Sequence, residues 1–123
     1  MPAKPEYAPL PNYESEEEIE RVLREGTWEE LMRLSLGVGR YWPDWRYSQD
    51  ICLRLAKHSD AAVRANACLA FSYIAQTHGK LDKQLIEEAV TRELRTQEKF
   101  RSRIELAIEE INRFMGWQLA KLH

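Results

Sequence analysis

Two stretches of this chain carry the same apolar stripe. Val63, Ala67, Ala70, Phe71, Ile74, His78 and Gly79 recur 37 residues later as Phe100, Ile104, Ala107, Ile108, Ile111, Met115 and Gly116. Each set has the i, i+4, i+7, i+8, i+11 spacing of one buried helix face, closed by a glycine suited to a helix C-terminus. A shorter first unit ends at Gly39, forty residues before Gly79, with Leu31 and Leu34 in the places of Phe71 and Ile74 and the extra length in the loop from Tyr41 to Trp45. Units of this length with two helices each cannot bury their apolar faces singly, so they stack as an α-solenoid. The expected fold is all-α, a short solenoid of about three antiparallel helix pairs.

Proline and glycine mark the boundaries. Pro2, Pro5, Pro9 and Pro11 lie in the first eleven residues, and no proline follows Pro43. Residues 1–14 therefore read as an extended arm, mobile unless it docks. The five glycines, Gly26, Gly37, Gly39, Gly79 and Gly116, fall where helices plausibly end, and no period-two alternation with β-branched residues separates them. Ser15 with Glu18, and Thr27 with Glu30, have the spacing of capping boxes, in which a hydroxyl and a carboxylate satisfy the open amides of a first turn. Helices are expected over 15–25 and 28–37, then from Pro43 in a first turn to about 57. A fourth runs from the Ser59-Asp60 cap to Gly79, a fifth from Asp82 to about 95, and a sixth from about 98 to Met115. The helical domain would span 15–116, followed by a tail at 117–123.

With 123 residues, 44% hydrophobic and 31% charged, the chain can bury one core without staples and does not read as a disordered tail. No run approaches the roughly 18 apolar residues that span a bilayer, and the start lacks a basic-then-apolar secretory pattern, so a cytoplasmic protein with no membrane partner is expected. Cys52 and Cys68 sit in apolar stripes rather than in a metal or disulfide pattern, and read as small hydrophobes. His58, His78 and His123 lie at helix ends or the terminus, without metal-ligand spacing. Gly37-Val38-Gly39 is too short to cradle a phosphate. These readings predict a protein that is not an enzyme and takes no cofactor or metal.

Charge and aromatic residues are unevenly spread. Residues 1–30 hold nine acidic and three basic side chains, with Glu14, Glu16, Glu17, Glu18 and Glu20 clustered, while the remainder carries a net +4. Such acids favour a helix N-terminus, and a localised acidic surface also steers a basic partner. Tyr41, Trp42, Trp45 and Tyr47 place four aromatics in seven residues around Pro43-Asp44, with Arg46 between them. Aromatics and arginine dominate binding hot spots. Trp45 suits packing between the first two helix pairs, whereas Tyr41, Trp42 and Tyr47 cannot all face one core. Tyr73 and Gln76 lie off the Val63-Ala67-Ile74 stripe, Tyr73 with a packing role between repeats as its alternative. Lys99, Arg101 and Arg103 open the sixth helix. Glu98, Glu105, Glu109 and Glu110 lie nearby and Arg101 pairs with Glu105 at i,i+4, so the set reads as a solvated face rather than a nucleic-acid site.

Asp60-Ala61-Ala62-Val63-Arg64-Ala65-Asn66-Ala67 resembles the D-x-x-V-R-x-x-A start of the second helix of a HEAT repeat, with Ile74 and Ala75 at its later core positions. Pro43-Asp44-Trp45 with Gln49-Asp50, Tyr73-Ile74-Ala75 with His78-Gly79-Lys80-Leu81-Asp82, and Ala107 to Phe114 together resemble small bacterial HEAT-like proteins. That group includes immunity proteins of contact-dependent inhibition and other polymorphic toxin systems. The resemblance covers residues 16–116. The chain departs from the group in having Ile108-Glu109-Glu110-Ile111 where an Asp-Asp pair is common, and in its Pro-rich, acidic start. The resemblance implies a stoichiometric inhibitor of a cognate toxin domain, with Glu14, Glu16, Glu17, Glu20, Tyr41, Trp42, Asp44, Tyr47, Tyr73 and Gln76 as candidate contact residues. A housekeeping scaffold and, more remotely, a nucleic-acid binder are the other classes it admits; the oligomeric state is left open.

Overall fold

The computed structural model describes residues 9–120, which form six helices and no strand: α1 (Glu16–Glu25), α2 (Trp28–Tyr41), α3 (Trp45–Leu55), α4 (Ala61–His78), α5 (Lys83–Thr96) and α6 (Arg101–Met115). They make two layers of an α-solenoid-like stack. In one layer α4 lies between α2 and α6; in the other, α1 covers α2, α3 covers α2 and α4, and α5 covers α4 and α6. Having neighbours on so many sides, α4 buries eleven of its eighteen residues, Phe71 and Ile74 among them. The repeated stripe forms this core: Ala67, Ala70, Phe71 and Ile74, with their counterparts Ile104, Ala107, Ile108 and Ile111, are all without solvent exposure.

Most helix starts follow the caps visible in the sequence. Thr27 and Glu30 complete a capping box. Ser15 accepts from the Glu18 amide at 3.1 Å, but the Glu18 carboxylate reaches one residue further back, to the Glu14 amide at 3.0 Å. Asp60 accepts from the amides of Ala62 and Val63, and Asp82 from that of Leu85. Gly79 (φ 65°) and Gly116 (φ 68°) close α4 and α6 in the left-handed conformation that glycine adopts without a Cβ clash.

Three boundaries differ from the sequence reading. α2 does not stop at Gly37 but runs to Tyr41, because both its glycines serve close packing instead of ending the helix. A Cβ on Gly39 would lie 2.9 Å from the Ala70 carbonyl oxygen of α4, and one on Gly37 would collide with the carbonyl of Pro11. Pro43 precedes the cap rather than filling the first turn of α3: Asp44 is the N-cap and accepts from the Arg46 amide at 3.0 Å. α6 begins at Arg101, after Phe100, with no side-chain cap.

The segments beside the helices are docked where they are described. Arg33 donates to the Pro9 carbonyl, and Tyr13 packs against the core, so residues 9–13 lie along α2. Residues 1–8 of the expected arm, and 121–123 with His123, fall outside the described residues. After Gly116 the chain turns back. Asn112 bonds both the amide and the carbonyl of Leu119, at 2.8 and 3.1 Å, and Leu119 is buried.

Candidate protein-docking surfaces

The acidic start forms one edge of the molecule. Glu14, Glu16 and Glu17 are exposed, in and just before the first turn of α1, where the helix dipole favours carboxylates. Glu20, one turn on, is committed within the fold, since both its oxygens accept from Arg54 of α3, at 2.7 and 3.1 Å. This fork lowers the carboxyl pKa of Glu20 and raises the guanidinium pKa of Arg54. Tyr47 lies within reach of the same charges. Burial raises its pKa first, and Glu20 and Glu16 raise it further; its buried hydroxyl has no hydrogen-bond partner among the described residues.

Around the turn between α2 and α3 the aromatics divide. Tyr41 is 46% exposed. Trp42 and Tyr47 are half-buried and pack on each other, their ring centroids 5.4 Å apart. The Trp42 carbonyl lies 3.1 Å from Nε2 of His78, joining the ends of α2 and α4. Asp44 is exposed while capping α3, and Trp45 packs against the core beneath the Arg46 guanidinium. On the outer stripe of α4, Gln76 is exposed, and Tyr73 lies under the Arg40 guanidinium, 4.3 Å from ring centroid to Cζ. The structure thus brings Tyr47 to the acidic edge, and holds Tyr73 and Gln76 on the outer stripe of α4.

The buried polar groups serve architecture. Glu93 is 2% exposed, and its carboxylate accepts from Arg64 and Gln97, each at 2.8 Å, and from Arg92 at 3.4 Å. Arg64 also holds the carbonyls of His58 and Ser59, Arg92 that of Ala56 and Gln97 that of Ala61, so one carboxylate ties the α3–α4 turn to α5. Gln49, of the Gln49-Asp50 pair that contributes to the family resemblance, accepts from the Asp82 amide at 2.6 Å. His58 accepts from the Asp60 amide at 3.0 Å. Burial pushes the Cys68 thiol up to about 12 and that of Cys52 higher still, so neither supplies a thiolate near neutral pH. Among the described residues no three His, Cys, Asp or Glu side chains are grouped to hold a metal ion.

One surface escaped the sequence reading. Leu69 of α4 and Lys99, Phe100, Ser102, Arg103 and Leu106 at the start of α6 line a shallow groove. Arg103 is not a solvated member of a basic helix face: it donates to Oδ1 of the buried Asn66 at 2.7 Å and lies over the Phe100 ring, 5.1 Å from its centroid. The signal was present, since Leu69 and Leu106 are also 37 residues apart, but they fall off the core stripe that drew attention.

Comparison with known proteins adds the fold. No family model matches the chain, and no curated relative matches it. A solved structure does: a chain in the crystal structure of a CDI complex from Cupriavidus taiwanensis LMG 19424 superposes with a TM-score of 0.76 over 90% of this chain and 98% of that one, at 20% sequence identity. The two share a fold over nearly the whole of both chains. Among the described residues, no helix is long and apolar enough to cross a membrane.

Proposed function

We propose that this chain is an immunity protein: a non-catalytic, HEAT-like scaffold that binds a cognate bacterial toxin domain in a tight stoichiometric complex and blocks it in the cytoplasm. The observation that carries the reading is the fold shared with a chain of a CDI complex over nearly the whole of both chains. CDI is read here as contact-dependent inhibition, a toxin system whose producers need a neutralising partner.

The surface chemistry supports a nuclease-type toxin. Nucleases hold phosphate backbones with basic side chains, and an acidic edge on the inhibitor attracts that same surface. Glu14, Glu16 and Glu17 supply this field, Glu20 and Tyr47 border it, and Tyr41, Trp42 and Asp44 lie at the adjoining turn. Tyr73 and Gln76 extend the contact onto α4. A standard interface of about 800 Å² per partner would occupy one face of a protein this small.

Co-expression with a protein encoded just upstream, tested as the toxin, checks the reading. Growth restored by this chain, and a one-to-one complex on co-purification, is the expected result. Cells equally poisoned with and without it would reject the assignment for that toxin, and capture of a housekeeping protein instead would favour a scaffold.

A further inference from the structure

The groove between α4 and α6 has the construction of a recognition site rather than of leftover surface. Leu106 is 48% exposed, and with Leu69 and Phe100 it provides an apolar floor. Lys99 and Arg103 stand on that floor, 5.4 and 5.1 Å from the Phe100 ring centroid, and among the described residues no acidic side chain lines the groove. Arg103 is held in place in advance. Asn66 is almost fully buried, donates to the Met32 carbonyl at 2.8 Å, and uses its oxygen to accept one Arg103 N–H, leaving the other guanidinium donors for an incoming group. Fixing a charged side chain before association lowers the entropy lost on binding.

We propose that this groove receives an acidic segment of the toxin, carrying an apolar side chain onto Leu69, Phe100 and Leu106 and a carboxylate onto Arg103 and Lys99. The proposal rests on the immunity reading and extends it by naming a second contact and its chemistry. Two cations over an apolar floor match a carboxylate beside a hydrophobic anchor. A nucleic-acid backbone needs cations repeated along a track, and here Glu98, Glu105 and Glu109 interrupt any such line. Charge complementarity also fits the whole molecule. The acidic edge lies on the first helix and the basic groove at the start of the last, so a toxin with a basic face and an acidic segment is oriented in one register.

The test uses the full chain and a catalytically inactive form of the toxin domain that the co-expression experiment identifies. Leu106→Ser and Lys99→Glu alter exposed side chains without a hydrogen bond among the described residues, so both variants should keep the wild-type circular dichroism and melting profile. Each is expected to weaken the complex by about tenfold or more, mainly through faster dissociation, whereas Leu85→Ser on the exposed side of α5 leaves it unchanged. A complex of unchanged affinity in both groove variants overturns the groove while leaving the immunity reading intact. A wild-type chain that fails to bind the toxin overturns the immunity reading, and a second arm then decides the groove alone. In that arm, a synthetic peptide with one phenylalanine flanked by glutamates is titrated into isotope-labelled protein. Resonance shifts at Leu69, Phe100, Ser102 and Leu106 that disappear in Leu106→Ser support the groove. Absence of shifts there, or shifts produced by a single-stranded RNA oligonucleotide and not by the peptide, overturns it.

Discussion

α4 has two seams of different make, one with α2 and one with α6. On the α2 side, Gly39 lets the helix backbone settle onto the Ala70 carbonyl, and the outer line of contact is roofed by Arg40 lying over Tyr73. On the α6 side no glycine occurs before the C-cap. Ile104, Ala107, Ile108 and Ile111 fill the interior, while Leu69 and Leu106 stay in the open groove beside Arg103. The same repeat thus yields a sealed junction where a side chain is missing and an accessible one where side chains are present. Both seams bury a core, and the α6 seam adds the open groove for which docking is proposed.

Several measurements sharpen or break this comparison. Phe71→Ala and Ile108→Ala remove corresponding, fully buried side chains from the two halves of the stripe. Losses of about 3–5 and 2–5 kcal/mol in urea unfolding are expected, the larger at Phe71 on the central helix. A greater loss at Ile108 would place the main core at the α6 seam instead. Gly39→Val pushes a branched side chain against the Ala70 carbonyl and should cost about 1–3 kcal/mol, measured by the same unfolding experiment. A neutral result would mean that the sealed seam has room to spare.

Smaller effects are expected at the surface. Glu20→Gln loses an exposed fork with Arg54, worth less than about 1 kcal/mol because both groups are solvated. The folded-state pKa of Glu20 is lowered below its ordinary value near 4.5, so the contribution is full above that pH and fades as pH falls through the folded value. Wild type and Glu20→Gln should therefore converge in stability toward acid; a difference that grows there would reject the pairing. Leu106→Ser should change stability by no more than about 0.5 kcal/mol, since the groove floor contributes little to folding. A large loss would show that Leu106 belongs to the core.

Much of the architecture was legible because it is local. Thr27, Asp60 and Asp82 announce helix starts through hydroxyl or carboxylate contacts only two or three residues ahead, and Gly79 and Gly116 announce ends through a backbone conformation. The stripe of period 37 located the core because apolar residues at helical spacing mark the face a helix buries. Gly37 and Gly39 misled because a glycine that ends a helix and a glycine that admits another backbone look alike in one dimension. The Glu93 network was invisible for a related reason: its donor Arg64 lies 29 positions away, and nothing in the spacing marks a charge that will be buried. Among the candidate surface residues, the acidic cluster could be read directly. The half-buried, tilted packing of Trp42 on Tyr47 and the anchoring of Arg103 by Asn66 depend on how different helices meet.

Asn66 has a consequence for how the molecule responds to a partner. One amide group grips the Met32 carbonyl of α2 with its nitrogen and Arg103 of α6 with its oxygen. The side chain of Asn66 thus bridges the helices on either side of α4, and Arg103 is seated through a contact that begins on α2. Under the proposed docking, slower amide exchange along α2 on complex formation is the expected outcome, and its loss in Asn66→Ala would trace it to this bridge.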